Sequence, residues 1–329
     1  MSTGLIYDES FLLHDTGSGH PESPARLIAI HERLEQTGLL ERLHHIDPAN
    51  YPGADVTTVH SPLYVQRVKR RCELNCGYID KKDVVISRSS YKVALAAAHG
   101  VCSAVDAVFK GEIANAFCAV RPPGHHANRT KAMGFCLFNN AAVGAARAIN
   151  THGVSRVLIV DWDVHHGNGT EEIFYFDPTV FYLSIHQHPF YPLTGARRRM
   201  GERKGKGFNR NIPIPKDGDD DIVLESFAQT LEKVAARFNP EFVIISAGFD
   251  AHAKDPIGRL RLSTSAYHKL TQFVANVAAA HCKGRIVSVL EGGYNPKYLA
   301  LSCEQHILAL LEAGDETDKE KKQNRMAGD

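Results

Sequence analysis

Asp161, Asp163 and His165 alternate with Trp162 and Val164 in the segment VDWDVHHGNGT. In extended chain a period of two sends the three polar side chains to one side and the two apolar ones to the other. An Asp and a His two residues apart can reach one cation, and Asp250, in the later segment SAGFDAH, can add a second carboxylate. Two carboxylates and one imidazole suit Zn²⁺ with positions left open for water and substrate, which marks a catalytic site rather than a structural one. A lone Asp-x-Asp pair more often caps a helix or pairs with arginine, so the case for chemistry rests on convergence with other segments.

Three further segments follow short apolar runs in the same way. RPPGHH ends in His125 and His126, and its Pro122, Pro123 and Gly124 stiffen the approach and then permit a tight bend that lets both rings face one pocket. A histidine pair beside a metal-activated water supplies a base and a cationic partner, each needing an orienting group. Asp161 and Asn168 are the natural orienters. GFDAH carries Asp250, and EGGYN carries Tyr294, whose phenol can donate to a developing oxyanion or simply pack as a core aromatic. Gly292 and Gly293 favour a mobile, site-facing Tyr294.

These segments need a scaffold that brings them together. Candidate strands lie at 4–7, 55–59, 116–120, 156–161, 179–184, 211–214, 242–247 and 286–290, with helical patterns over 24–36, 61–74, 91–109, 139–150, 219–237, 263–281 and 296–311. The alternation implies an α/β fold with a mainly parallel sheet and helices on both faces, in which ligands bind beyond the carboxyl ends of the strands. No linker divides the series, so 1–312 is expected to form one domain. The polar stretch 313–329 is expected to be a mobile tail. The basic stretch GARRRMGERKGKG at 195–207 reads as a solvated surface loop.

Composition narrows the function classes. With 38 Lys and Arg against 37 Asp and Glu, the chain has no bulk positive field, which argues against direct nucleic-acid or anionic-membrane binding. Apolar runs fall short of the ~18 residues of a membrane span. The start MSTGLIYDES lacks the basic and apolar regions of a secretory signal, so a cytoplasmic location is expected. Seven scattered cysteines without a CxxC pair argue against a disulfide framework and a thiolate zinc site, leaving nitrogen and oxygen as metal ligands.

Taken together, GHPESPARL, RPPGHHA, GFCLFNN, VDWDVHHGNGT, LSIHQ, SAGFDAH, DPIGRLRLS and LEGGYN resemble the zinc-dependent histone deacetylase family, in the branch shared with bacterial deacetylase-like amidohydrolases. The resemblance runs from the N-terminus to about residue 312 and implies a three-layer α/β/α domain with an eight-stranded, mainly parallel sheet, as in arginases. It implies Asp163, His165 and Asp250 as zinc ligands and His126 as general base and acid. His125, paired with Asp161, would act electrostatically, and Tyr294 would polarise the carbonyl. It also implies structural potassium at Asp161, Asp163, His165, Ser184 and Ile185, and a second potassium at Phe174, Asp177, Val180 and Phe208. The reaction implied is metal-assisted hydrolysis of an acetylated lysine side chain.

At the substrate end, the resemblance places Phe135, after Gly134, and Tyr191 as the two aromatics flanking an acyl-lysine stem. The second is more often Phe in the family. Asp83 falls where the family's rim carboxylate or serine accepts a substrate amide N–H. Asn168 stands where another branch has Asp, which should stabilise a protonated His126 less. Ile257 occupies the position of a Glu that attracts cationic substrate in polyamine-selective relatives. Proteins or peptides bearing acyl-lysine are therefore the expected substrates, with acetylpolyamines or other small amides as the rival. A catalytically silent acyl-lysine binder would lack a ligand or the tyrosine, and a binuclear manganese hydrolase would need further acidic ligands. The residues leave the oligomeric state open, and an Asp/His set also admits Fe²⁺.

Overall fold

A strand buried on both faces reads as a continuous apolar run, and such strands satisfy their backbones in a parallel sheet covered by helices. The computed structural model, which describes residues 2–48 and 56–326, has this form. Along the chain come β1 (Thr3–Ile6), α1 (Ala25–Gln36), β2 (Leu43–Ile46), α2 (Pro62–Glu73), the short antiparallel pair β3 (Tyr78–Ile79) and β4 (Lys81–Val85), and α3 (Ser90–Lys110). Then follow β5 (Asn115–Cys118), α4 (Asn140–His152), β6 (Val157–Asp161), α5 (Asn168–Phe174), β7 (Val180–Gln187) and β8 (Asn209–Ile214). The last third holds α6 (Asp220–Phe238), β9 (Phe242–Ala247), α7 (Thr264–Cys282), β10 (Ile286–Leu290) and α8 (Pro296–Met326).

Eight parallel strands form one sheet in the order β2-β1-β5-β10-β9-β6-β7-β8. Strands β5, β10, β9 and β6 are therefore consecutive, and they are the strands that RPPGHH, EGGYN, GFDAH and DWDVHH follow. Adjacent strands are ~4.8 Å apart, so four distant stretches of sequence emerge within ~15 Å of one another on one edge. That is how the fold positions the site. Every residue of β5, β6, β9 and β10 is buried.

Local chemistry sets the helix ends. Asn139, Asp219 and Ser263 cap α4, α6 and α7 by accepting from the backbone N–H groups of Ala142, Ile222 and Ala266. Gly111 ends α3 at φ +74°, a left-handed conformation that glycine adopts without a Cβ clash. Contrary to the expectation from apolar runs, helix α3 is long and apolar enough to cross a membrane by composition, but 67% of its most apolar window is buried inside the protein.

Three boundaries differ from expectation. The segment at 55–59 is not a strand: Val56–Thr58 forms a 3₁₀ turn, and Asp55 lies outside the described residues. The eighth strand is β2, an edge strand that pairs only with β1 and leaves His44 and His45 exposed, so its sequence carries no buried pattern to read. Helix α8, expected to stop at 311, continues to Met326.

Candidate metal centre and active site

Asp161 is the last residue of β6, and the chain leaves the sheet there, turning Asp163 and His165 into the edge that β9 and β10 also reach. Ligand atoms of Asp163, His165 and Asp250 lie within 4.8 Å of one another, and all three residues are buried. Backbone N–H groups aim the carboxylates: Gly292 donates to Asp163 Oδ2 (2.8 Å), His165 to Asp163 Oδ1 (2.9 Å), and Val164 to Asp250 Oδ1 (2.9 Å). Asp250 Oδ2 sits 3.1 Å from His165 Nδ1 outside hydrogen-bond geometry and is a buried acceptor without a donor.

A desolvated carboxylate oxygen with no donor is costly, and a cation relieves it. The three side chains therefore fit a divalent ion. Gly292 is demanded by this crowding, since a Cβ there would collide with Asp250 Oδ2 and Asp163 Oδ2. Without a cation the cluster keeps a proton on the imidazole: burial opposes a charged His165, but Asp163 and Asp250 outweigh it and hold the ring at about 9.

The two histidines that follow β5 are in different electrostatic states. Burial disfavours a charged His125, yet Asp161, Asp163 and Glu291 overcome it and raise the ring to about 10. His125 Nδ1 is 3.0 Å from Asp161 Oδ2, which also accepts from the Tyr182 hydroxyl at 2.7 Å. His126 moves the other way: burial, then the cationic His125 and His165, hold it well below the usual imidazole range. Its Nδ1 lies 2.7 Å from Asn168 Oδ1. An amide oxygen only accepts, so Nδ1 carries the proton and Nε2 keeps the lone pair.

Tyr294 is held from three sides. Its N–H donates to Asp255 Oδ2 (2.7 Å), while Arg26 donates to the carbonyls of Gly293 (2.7 Å) and Glu291 (2.5 Å) on the same loop. Gly292 thus serves close approach, and Tyr294 faces the site. Burial, reinforced by Asp250 and Asp163, raises the phenol well above its ordinary value, so it remains a donor near neutral pH.

A pocket of about 190 Å³ connects this cluster to solvent, lined by Asp83, His126, Gly134, Phe135, His165, Tyr191, Ile257 and Tyr294. The five substrate-end residues of the sequence analysis all line it. Gly134 adopts φ +54° and lies so close to His126 that any Cβ would strike the ring. Phe135 is also left-handed (φ +66°), a conformation rare outside glycine that aims its ring at the pocket. Larger cavities elsewhere, such as one of about 550 Å³ between α6 and α7, contain none of these groups.

The profile of the histone deacetylase domain matches residues 20–310. The chain belongs to the histone deacetylase family. It is 39% identical over 90% of its length to a probable deacetylase of Archaeoglobus fulgidus, covering 82% of that protein. It is 35% identical over 90% of its length to a histone deacetylase-like amidohydrolase of Pseudomonas aeruginosa, covering 83% of it. Among solved structures it resembles the crystal structure of the HDA15 HD domain, with a TM-score of 0.88, 38% identity, and coverage of 96% of this chain and 92% of that one.

In this deacetylase-family chain two members of the first expected potassium set, Asp161 of β6 and Ser184 of β7, pair in register. Of the second set, Phe174 O accepts from Asp177 N–H and Phe208 O from Tyr182 N–H. The residues that escaped sequence reasoning are buried acidic groups and their partners. Glu291 accepts from the N–H groups of Gly124 (2.7 Å) and His125 (3.1 Å), fixing the histidine turn. Glu22 joins Arg121 and Arg26 in full burial. Glu171 on α5 receives Arg199 of the 195–207 loop, which is otherwise largely exposed, together with Asn209 and Asn211 of β8. One signal was available: Glu291 directly follows an apolar strand, as Asp163 nearly does.

Proposed function

We propose that this protein is a zinc-dependent amidohydrolase that removes acetyl groups from lysine side chains of proteins or peptides. The observation that carries the reading is the Asp163, His165 and Asp250 cluster, whose His165 lines a pocket together with His126 and Tyr294. Asp163, His165 and Asp250 would hold the zinc, which when bound supplies Lewis-acid polarisation of the amide carbonyl and acidifies water.

The chain's own groups account for the remaining chemistry. Neutral His126 accepts the water proton at Nε2, its tautomer set by Asn168, and returns that proton to the leaving lysine nitrogen. Cationic His125, neutralised by Asp161, places positive charge beside the developing negative charge without titrating near pH 7. The Tyr294 phenol donates a hydrogen bond to the carbonyl oxygen as it gains charge. Phe135 and Tyr191 flank the methylene stem, and Asp83 accepts a substrate backbone N–H at the mouth. Structural potassium belongs to the same reading at the first site, where the Asp161 carboxylate and Ser184 hydroxyl are the hard oxygen donors such an ion takes.

Ile257 favours lysine over polyamine substrates, because it puts an apolar side chain in the pocket wall where a carboxylate would attract a second ammonium. The test compares kcat/KM of zinc-loaded enzyme on an internal acetyl-lysine peptide and on acetylspermidine, with chelator-treated enzyme alongside. Preference for the peptide, lost on chelation and restored by zinc, is expected. Preference for acetylspermidine, or turnover indifferent to chelation, would refute the proposal.

A further inference from the structure

The pocket mouth holds a contact that the reaction does not use. The hydroxyl of Tyr191, on the loop after β7, donates to Asp83 Oδ2 on β4 at 3.2 Å. The other oxygen, Asp83 Oδ1, is buried and has no partner. Among the described residues the Tyr191 hydroxyl is the one hydrogen-bond donor to this carboxylate. The Tyr191 ring is already seated edge-on against His126 and His165, with centroids 5.3 and 6.0 Å away. A phenylalanine would make those ring contacts equally well, so the hydroxyl has a separate role.

We propose that the Tyr191 hydroxyl is a specificity-determining latch. It fixes the Asp83 carboxylate at the mouth through Oδ2, favouring acyl-lysines that present a backbone N–H to that carboxylate over acylated amines that present none. The inference rests on the deacylase reading and adds which substrates the mouth selects.

The physical reason is preorganisation. A carboxylate already fixed by one hydrogen bond loses less freedom when a ligand bonds it as well. A simple alkylamide has no backbone N–H to offer the carboxylate and gains nothing from its being held in place. The 3.2 Å contact is longer than the usual O–H···O range of roughly 2.5–3.0 Å, so it can yield as the substrate seats. It also ties the β3–β4 pair to the loop carrying the aromatic wall, two segments otherwise far apart in sequence.

The experiment uses full-length zinc-loaded enzyme with Y191F, D83A and the double variant, on an internal acetyl-lysine peptide and on N-acetylbutylamine. Y191F is expected to raise KM for the peptide about fivefold, with the loss in KM rather than kcat and little change on the alkylamide. In the D83A background Y191F should add no further loss. Equal losses on both substrates, an undiminished Y191F effect on D83A, or no effect anywhere would each overturn the latch. Independently of activity, hydrogen exchange across 78–85 should quicken in Y191F, and unchanged exchange counts against it. Should wild-type enzyme hydrolyse neither substrate, the deacylase reading fails while the exchange comparison still decides the latch.

Discussion

The Arg26 guanidinium lies 5.2 Å from the centre of the Tyr294 ring and donates to the carbonyl of Gly293, a residue 267 positions away in sequence. It also pairs with Glu22 at 3.3 Å, so one planar group holds two carbonyls and a carboxylate that a lysine could not hold together. Tyr294→Phe is expected to lower kcat by roughly 10² without loss of bound zinc. Arg26→Met should lower kcat by roughly 10-fold through loop displacement and destabilise the fold by roughly 3 kcal/mol, the scale for breaking a buried pair. If both act through one hydroxyl, Arg26→Met costs little further kcat in the Tyr294→Phe background. Steady-state rates, metal analysis and denaturant midpoints check all three.

Zinc uptake should release a proton. His165 is held at about 9 by its two carboxylate neighbours, so near pH 7 the metal-free ring is charged and must lose its proton to become a ligand. Apparent zinc affinity is therefore expected to rise with pH up to about 9 and flatten above it. Competition with a chelator across pH 6.5 to 9, with calorimetry in buffers of different ionisation heat, measures both the slope and the proton. Asp250→Ala should abolish stoichiometric zinc, and full retention would contradict its assignment as a ligand.

Ligand-like residues were legible because they follow apolar strands at fixed offsets, and β5, β6, β9 and β10 were each readable alone. Their adjacency was not, since strand order is set by packing rather than by any local pattern. β2 was hidden for the opposite reason: its two exposed histidines look like a loop. Arg26, Glu22 and Arg121 stayed silent because charged residues ordinarily read as surface, and only tertiary contact reveals that all three are fully buried. Asn168 and Asp161, by contrast, were found by asking what must orient each imidazole.

Glu22 should make the fold acid-sensitive. Burial favours its neutral form, but Arg121 and His14, with Arg26, override this and hold the carboxyl at about 2. Its folded value is below the unfolded ~4.3, so its stabilising contribution is complete above pH ~4.3 and disappears as pH falls through about 2. The linkage amounts to roughly 3 kcal/mol. Glu22→Gln is expected to be less stable than wild type at pH 7, with the gap narrowing toward pH 2. Urea midpoints between pH 7 and 2.5 give the comparison, and a constant gap would place the acid sensitivity elsewhere.

Asn168→Asp tests how the base is tuned. His126 Nδ1 donates to a neutral amide oxygen at 2.7 Å, which orients the ring while adding little to its basicity. A carboxylate at that position would stabilise the imidazolium and raise the ring toward the ordinary histidine range. The base works unprotonated, so a higher value means more acid inhibition: the low-pH limb of kcat/KM should move upward by about one unit. The same change makes His126 a slower donor to the leaving amine, so kcat on the plateau should not rise although the stronger base removes the first proton more readily. A limb that stays in place would mean that another group, rather than His126, sets the acid side of the profile.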